Sequence, residues 1–295
     1  MIRTDNLTKR FGSVTAVDGL TLDVPEGSVF ALVGPNGAGK TTAIKTVLNV
    51  LRPTSGRAEV LGTDSRRLSP KELACIGYVS ENQMLPDWMP VGYFLSYCKK
   101  FYPTWDDSLL AALVHLYDLP LDRKLRSLSR GMRMKAALAS SLAYRPRLIV
   151  LDEPFSGLDP LVRDELIESI LERAAEATVF ISSHDLTEIE TFASHIGYLD
   201  RGRLQFSEEI GALLDRFREV EVTLDGPAEM PREWPSRWLN PEQSSVVVRF
   251  TDSGFSPDST EEEVRRLFPG VREITMRNIP LRSVVVALSK SAREN

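Results

Sequence analysis

A glycine-rich segment constrains this chain more than any other part of its sequence. It reads LVGPNGAGKTT over residues 32–42 and fits the pattern G-x-x-x-x-G-K-S/T between Gly34 and Thr41. Its first residues end the apolar run VFALVG, and the following KTTAIKTVLNVL spaces its apolar residues as an amphipathic helix does. The sequence therefore predicts a buried strand, a tight loop and a helix in direct succession.

This arrangement is suited to binding phosphate. Glycines let the loop backbone curl until consecutive N–H groups face one anion, and the N-terminus of the following helix adds its dipole. The lysine can bridge the β- and γ-phosphates of a nucleotide, and the hydroxyl after it can bind Mg²⁺. The predicted nucleotide-binding residues are Gly34, Pro35, Asn36, Gly37, Ala38, Gly39, Lys40, Thr41 and Thr42.

Alternating strand and helix patterns predict an α/β fold with a mostly parallel sheet. RLIVLDEP at 147–154 and ATVFISS at 177–183 read as buried strands, and LVRDELIESILERAA between them has helical spacing. Residues 82–145 carry three helical patterns, which predict a helical subdomain inserted into this alternation.

Two adjacent carboxylates end the strand RLIVLD. Asp152 at the strand tip is placed to hold Mg²⁺, and Glu153 is placed to orient or deprotonate an attacking water. Acidic residues also end many strands without a catalytic role, so the pair alone indicates little. Its position downstream of the glycine-rich loop, in a chain of alternating strands and helices, favours the catalytic interpretation.

Four further motifs stand in a fixed order around these two. LSRGM occupies residues 128–132, SGLD occupies 156–159, SSHD places His184 after a strand, and KRFG places Phe11 near the N-terminus. Together with the glycine-rich loop and the acidic pair, they resemble the nucleotide-binding subunits of ATP-binding cassette (ABC) transporters. The resemblance covers residues 1 to about 215.

The resemblance implies a fold and a mechanism. The fold is a P-loop (RecA-like) α/β cassette over residues 1–218 with an antiparallel N-terminal β part, followed by a small accessory domain over 219–295. Phe11 would stack on the adenine of ATP. With Lys40 on the phosphates, Glu153 would polarise the attacking water, and His184 would hold the γ-phosphate side of the site.

Partners are implied as well. Two cassettes pair head to tail in this family, so ATP bound to one chain would meet Ser129 and Gly131 of the other, and Asp159 would also belong to the nucleotide site. The second cassette would be an identical or a different chain. Separate transmembrane permease subunits would hold the protein on the inner face of the cell membrane, where ATP hydrolysis would power transport. No nucleic-acid partner is expected.

Two departures from the family pattern affect the expected site. The glutamine of the family's Q-loop is replaced by Glu81, with Gln83 two residues later. Glu81 would either coordinate Mg²⁺ through water or be a loop acid without a metal role, and either residue can serve the Q-loop. In the LSGGQ signature of the family, Arg130 replaces a glycine and Met132 the glutamine. LSRGM, with the segments ENQ and FYPTWD, favours an exporter.

Composition separates the leading interpretation from its alternative, a soluble ABC ATPase acting on nucleic acid or ribosomes. The chain has 295 residues, a net charge of −5 and a pI near 5.5, which disfavours nucleic acid. No apolar run approaches the roughly 18 residues needed to cross a bilayer, so the chain is expected to be soluble. Aromatic residues are concentrated after the Q-loop, where they would serve either as core or as a groove for a membrane partner.

The C-terminal part, residues 219–295, carries no catalytic constellation. Packing and steadying of the dimer is its expected role, and sensing of a ligand is the alternative. Strand patterns there alternate with STEEEVRRLF, which predicts a helix opening with a capping box from Ser259 to Glu262. LRSVVVALSK fits both a strand and a helix, because its valines favour strands while Leu281, Val284 and Val285 have helical spacing. A small α+β domain is the prediction.

Overall fold

The computed structural model describes residues 1–231 and 234–294 and divides into two compact units. The first unit is Met1–Ser207, and the second begins at Glu208. Residues 208–218 thus lie in the second unit, and a domain boundary at residues 218 and 219 stays a prediction. Within the described residues, no helix is both long and apolar enough to cross a membrane.

The first unit contains strands and helices in alternation. Its strands are β1 (Ile2–Phe11), β2 (Val14–Val24), β3 (Val29–Val33), β4 (Ser55–Val60), β5 (Thr63–Asp64), β6 (Ile76–Ser80), β7 (Leu148–Asp152), β8 (Thr178–Ser183), β9 (His195–Asp200) and β10 (Arg203–Glu209). Its helices are α1 (Lys40–Val47), α2 (Pro70–Leu73), α3 (Val91–Lys99), α4 (Asp107–Leu116), α5 (Arg130–Leu142), α6 (Pro160–Ala174) and α7 (Leu186–Glu190).

An antiparallel sheet of order β2-β1-β4-β5 forms the N-terminal part of this unit. Leu20, Leu22 and Val24 on β2 are buried, as their alternation predicts. Gly19 interrupts that alternation with a φ of 65°, and the pairing of β1 with β2 shifts register beside it. A Cβ at this glycine would lie 2.9 Å from the side-chain oxygen of Asn6.

A second sheet, of order β10-β9-β3-β8-β7-β6, positions the site. Its neighbouring strands from β9 to β6 are parallel, and β3, β7 and β8 are buried along their whole length, as strands covered on both faces are. Because parallel strands end at the same edge, the residues that follow them meet there: Gly34, Glu81, Glu153 and His184. The predicted α/β fold is confirmed.

Helices α3, α4 and α5 lie between β6 and β7 in the chain and confirm the inserted helical subdomain. Polar side chains set where two of them begin. Asp106 accepts hydrogen bonds from the N–H groups of Ser108 and Leu109 at the start of α4, and Ser129 accepts one from Met132 at the start of α5.

The second unit is a four-stranded antiparallel sheet with helices. Its elements are α8 (Ile210–Asp215), β11 (Arg218–Leu224), β12 (Trp238–Ser244), β13 (Val247–Asp252), α9 (Pro257–Leu267), β14 (Val271–Asn278) and α10 (Leu281–Glu294), and the strand order is β12-β13-β11-β14. The ambiguous segment is α10, whose Leu281, Val284 and Val285 are buried. The predicted capping box at Ser259 is wrong, because the N-cap of α9 is Ser256, three residues earlier, and the helix begins at Pro257.

Candidate active site

The glycine-rich loop connects β3 to α1 and has no room for side chains at two of its glycines. A Cβ on Gly34 would lie 2.1 Å from the carbonyl oxygen of Leu199, and a Cβ on Gly39 would lie 2.2 Å from that of Ala16. Gly39 also has a φ of 105° and precedes α1 directly, so no side chain caps this helix. The helix N-terminus and its dipole therefore face the loop, which favours an anion there.

Lys40 is buried with its charge compensated. Its side chain is 5% exposed, and Nζ donates to the carbonyl oxygens of Gly34 at 2.6 Å and Pro35 at 3.2 Å. Nζ also lies 3.0 Å from Oε1 of Glu153, whose side chain is 13% exposed. A buried ammonium group needs such partners, and the arrangement holds the lysine inside the loop that the sequence assigns to phosphate.

Glu153 connects this lysine to the histidine that follows β8. Its Oε2 lies 2.7 Å from Nδ1 of His184, so Lys40, Glu153 and His184 form one continuous chain of polar contacts. Glu153 adopts a φ of 53°, a left-handed conformation that side chains other than glycine rarely take. Two hydrogen bonds hold it there, because its N–H reaches the carbonyl oxygen and the hydroxyl of Ser182 at 3.3 and 3.0 Å.

Asp152 lies beside this chain and is only 2% exposed. Its Oδ1 accepts hydrogen bonds from Thr41 Oγ1 at 2.9 Å and from Ser182 Oγ at 2.8 Å. These groups are all oxygen donors of the kind that Mg²⁺ prefers. Within the described residues, no group of three or more His, Cys, Asp or Glu side chains could hold a metal alone. The site thus fits Mg²⁺ that takes its remaining ligands from substrate phosphates and water.

Glu81 and Gln83 differ in their surroundings. The N–H of Glu81 donates to the carbonyl oxygen of Asp152 at 2.9 Å, which places this residue at the edge of the site. Its Oε1 accepts a hydrogen bond from Ser156 Oγ at 3.1 Å and forms an ion pair with Arg130. Oε1 of Gln83, by contrast, accepts from the backbone N–H of Ser80 at 3.4 Å. Of the two, Glu81 is the one held beside Asp152.

The LSRGM segment forms the start of α5. Ser129 caps the helix, and a Cβ on Gly131 would lie 3.0 Å from Cγ1 of Val162, so α6 requires a small residue there. Asp159 caps α6 by accepting a hydrogen bond from the N–H of Val162 at 3.1 Å. In the part of the chain that the structure describes, Ser129 and Gly131 make no hydrogen bond to the glycine-rich loop.

The other expected nucleotide contacts lie as follows. Phe11 ends β1 with 47% of its surface exposed, and Lys9 Nζ lies 4.8 Å from the ring centroid. An exposed ring of this kind is suited to stacking on a base. The remaining loop residues of the predicted set lie between β3 and the first turn of α1: Asn36, Gly37, Ala38 and Thr42.

Two features of the site were not predicted from the sequence. One is Ser182, which orients both Asp152 and Glu153. The other links α6 to α7, because Arg163 Nη1 lies 3.3 Å from Oε1 of Glu188 and Ser183 Oγ donates to Oε2 at 3.4 Å. Burial raises the pKa of Glu188 above its ordinary value of 4.5.

Comparisons with known proteins identify the family of this chain. The family model described as ABC transporter matches residues 17–156. The chain is 33% identical to a bacitracin transport ATP-binding protein of Enterococcus faecalis, over 74% of this chain and 72% of that protein. It is also 33% identical to a daunorubicin resistance ATP-binding protein of Streptomyces coeruleorubidus, over 89% and 81%. An uncharacterized ABC transporter ATP-binding protein of Synechocystis is 33% identical, and the match spans 63% of its length.

Solved structures have the same fold. One, an ATP-binding subunit of an ABC transporter, is 24% identical with a TM-score of 0.67, over 73% of this chain and 92% of that one. Another is the ADP conformation of an ATP-binding cassette, 27% identical with a TM-score of 0.61, over 73% and 94%. The relatives and the family model identify this chain as a member of the ABC transporter ATP-binding protein family.

Proposed function

We propose that this chain binds and hydrolyses ATP as the nucleotide-binding subunit of a membrane transporter. The observation that carries the proposal is the chain of contacts from Lys40 through Glu153 to His184, with lysine to carboxylate at 3.0 Å and carboxylate to imidazole at 2.7 Å. A phosphate-binding lysine, a carboxylate base and a histidine at one sheet edge are the parts that hydrolysis of a phosphoanhydride needs.

Nucleotide binding would exchange one partner of Lys40 for another. The ammonium group is paired with Glu153, and the β- and γ-phosphates of ATP offer it more negative charge. Phe11 would stack on the adenine, and the loop amides would surround the phosphates. Thr41 and Asp152 would hold Mg²⁺, whose chemistry is to neutralise charge on the phosphate oxygens.

Hydrolysis would use the carboxylate that Lys40 releases. Glu153 would accept a proton from water as the water oxygen attacks the γ-phosphorus, and the bond from that phosphorus to the bridging oxygen of ADP would break. His184, whose side chain is 42% exposed, would keep the carboxylate oriented through its contact with Oε2. ADP and inorganic phosphate are the products.

A second cassette would be needed to close the site. Among the described residues, Ser129 and Gly131 make no hydrogen bond to the glycine-rich loop of their own chain, which supports a role towards a nucleotide bound by another chain. The start of α5 presents helix N–H groups, which favour a γ-phosphate. We expect the nucleotide to be enclosed between two cassettes, with the signature of one chain opposite the glycine-rich loop of the other.

A groove between the sheet and the helical subdomain is the proposed place of the membrane partner. Its cavity of ≈ 350 Å³ is lined mainly by apolar and aromatic side chains, which include Leu48, Val50, Tyr78, Phe94, Tyr102 and Tyr144. In the loop between β6 and α3, Met84 is 95% and Trp88 63% exposed. An apolar groove with aromatic anchors suits an amphipathic helix. A permease helix docked there would hold the chain on the inner face of the membrane.

Export is the proposed direction of transport. The relatives named for bacitracin transport, daunorubicin resistance and lantibiotic transport support it, because a transporter confers resistance to a toxic compound by removing that compound from the cell. The same names identify these relatives as ATP-binding proteins, in agreement with the site geometry.

The proposal is tested by measuring phosphate release from Mg-ATP over a range of chain concentrations. Because a closed site needs two cassettes, we expect turnover per chain to rise with concentration, or on adding a second cassette from the same cells. Lys40→Ala is the control without a phosphate-binding lysine. A chain that binds no ATP at millimolar concentration would refute the proposed function.

A further inference from the structure

Arg130 and Glu81, two of the residues that depart from the family motifs, are in contact with each other. The guanidinium group of Arg130 forms an ion pair with Oε1 of Glu81, and the hydroxyl of Ser156 donates to the same oxygen at 3.1 Å. The three residues come from different places in the chain: the loop after β6, the start of α5 and the loop after β7. They join the inserted helical subdomain to the strand edge that carries the site.

The backbone around this contact is shaped to admit the arginine. A Cβ on Gly157 would lie 2.6 Å from Nη1 of Arg130, and Gly157 has a φ of 65°, so the guanidinium group lies directly over a glycine. Arg130 also lines a cavity of ≈ 200 Å³ between the loop after β6 and α5, together with Arg133 and Met134. Glu81 and Arg130 therefore both line this cavity.

The ion pair changes what the carboxylate of Glu81 can do. The residue is next to Asp152, because its N–H donates to the Asp152 carbonyl oxygen at 2.9 Å. Its Oε1 already pairs with the guanidinium cation of Arg130 and accepts a hydrogen bond from the hydroxyl of Ser156. These contacts compensate the negative charge of the carboxylate. A carboxylate held in this way is a weaker ligand for a second cation. Since the side chains of Arg130 and Glu81 are 50% and 25% exposed, water and salt weaken their pairing, and the contact can open.

We propose that Arg130 is a positioning residue that controls the access of Glu81 to Mg²⁺. While the pair is formed, Glu81 is directed to Arg130 and Ser156, and the side chains that would hold Mg²⁺ beside the phosphates and water are Thr41 and Asp152. When the pair opens, Glu81 becomes available as an additional carboxylate. This inference rests on the proposed function, because it concerns the Mg²⁺ that accompanies ATP.

The test measures how Mg²⁺ supports nucleotide binding, without any need for turnover. The full chain is titrated with MgCl₂ at a fixed concentration of methylanthraniloyl-ATP, and fluorescence gives the half-saturating Mg²⁺ concentration. The variants are Arg130→Gln, Glu81→Gln and the double variant. Arg133→Gln is the matched control, because Arg133 lies one turn further along α5 and pairs with Asp87 at 2.6 Å instead. Thermal unfolding confirms that each variant folds.

We expect Arg130→Gln to lower the half-saturating Mg²⁺ concentration about two- to fivefold, the range that a partly exposed ion pair supports. In the Glu81→Gln background the same substitution should have no effect, and Arg133→Gln should behave as the parent chain. As NaCl is added, the half-saturating Mg²⁺ concentration of the parent chain should approach that of Arg130→Gln measured at the same NaCl concentration.

Other outcomes overturn the inference. If Arg130→Gln changes the half-saturating Mg²⁺ concentration equally in the parent and in the Glu81→Gln background, the arginine does not act through the Glu81 carboxylate. If the parent chain binds the nucleotide and Arg130→Gln has the same half-saturating Mg²⁺ concentration as the parent, the inference is refuted and the proposed function stands. Failure of the parent chain to bind the nucleotide at any Mg²⁺ concentration would refute both.

Discussion

Replacing Glu153 by glutamine separates nucleotide binding from hydrolysis. The amide keeps the size of the side chain. Its oxygen can still accept a hydrogen bond from Lys40, which lies 3.0 Å from Oε1 of Glu153, and its NH2 group can donate to Nδ1 of His184, which lies 2.7 Å from Oε2, when the imidazole carries its proton on Nε2. What it loses is the negative charge and the ability to accept a proton. We therefore expect binding of ATP to persist in Glu153→Gln while turnover nearly stops.

The size of the turnover effect follows from the role of the carboxylate. A positioned general base contributes roughly 10²- to 10⁴-fold to rate, which corresponds to about 2.7–5.4 kcal/mol in activation free energy. We expect the turnover number of Glu153→Gln to fall within that range. A smaller loss would mean that the water loses its proton to another group.

The affinity for ATP should rise in Glu153→Gln, whereas turnover falls. At 3.0 Å, the attraction between Lys40 and Glu153 amounts to about 5.5 kcal/mol at an effective dielectric constant of about 20. Desolvation of the two buried charges offsets most of this attraction. Without the carboxylate, Lys40 gives up less when it binds phosphate, and repulsion of the γ-phosphate disappears. We expect a net gain of about 1 kcal/mol, or about fivefold in ATP affinity.

The assay combines phosphate release at saturating Mg-ATP with calorimetric titration of ATP. Glu172→Gln on the exposed face of α6 is the matched control, because it makes the same chemical change away from the site. Turnover of Glu153→Gln within threefold of the control would refute the reasoning. An affinity loss of tenfold or more would show instead that Glu153 helps to hold the nucleotide.

Three further predictions concern binding and stability. Lys40→Ala should weaken ATP binding more than 100-fold in calorimetric titration, because an ammonium contact to phosphate is charge-assisted; near-parental affinity would remove Lys40 from the site. Phe11→Ala should cost about 1–3 kcal/mol of ATP binding, the range for base stacking, and an unchanged affinity would place the adenine elsewhere. Burial raises the pKa of Glu188 above 4.5, so its folded form retains the proton to a higher pH than its unfolded form. The stability that Glu188 contributes is therefore fully present below about pH 4.5 and is lost as pH rises through the raised pKa. The unfolding temperature of the parent, relative to Glu188→Gln, should fall over that interval, and a pH-independent difference would contradict this.

The sequence predicts the parts of the site whose geometry is local. The glycine-rich loop is one example, because the close approach of Ala16 and Leu199 requires glycine at positions 39 and 34 and the pattern itself selects a strand, a loop and a helix. The parallel sheet is another, since the buried strands and intervening helices are readable as hydrophobic patterns. Parallel pairing then brings the ends of β3, β7 and β8 to one edge.

Contacts between residues that are far apart in the chain could not be predicted from any motif in the sequence. Ser182 is one of two serines at the end of β8, and only the fold shows that it reaches both Asp152 and Glu153. Arg130 and Glu81 stand out individually against the family motifs, but their pairing depends on how α5 is placed against β6.

Helix termini and mixed patterns were also difficult to predict. α9 begins at Pro257, where proline suits the first helical turn, and not at the serine that resembles a cap. In α10, tertiary packing of Leu281, Val284 and Val285 outweighs the strand preference of the valines.

The central proposal, that this chain powers a membrane transporter, is tested most directly by purifying the tagged chain from its native cells in mild detergent. Mass spectrometry then identifies what accompanies it. We expect a multi-spanning membrane protein in stoichiometric amount, and Lys40→Ala should retain it, because the lysine does not line the proposed docking groove. Recovery of the chain with ribosomes or nucleic acid, and without any membrane protein, would contradict the account.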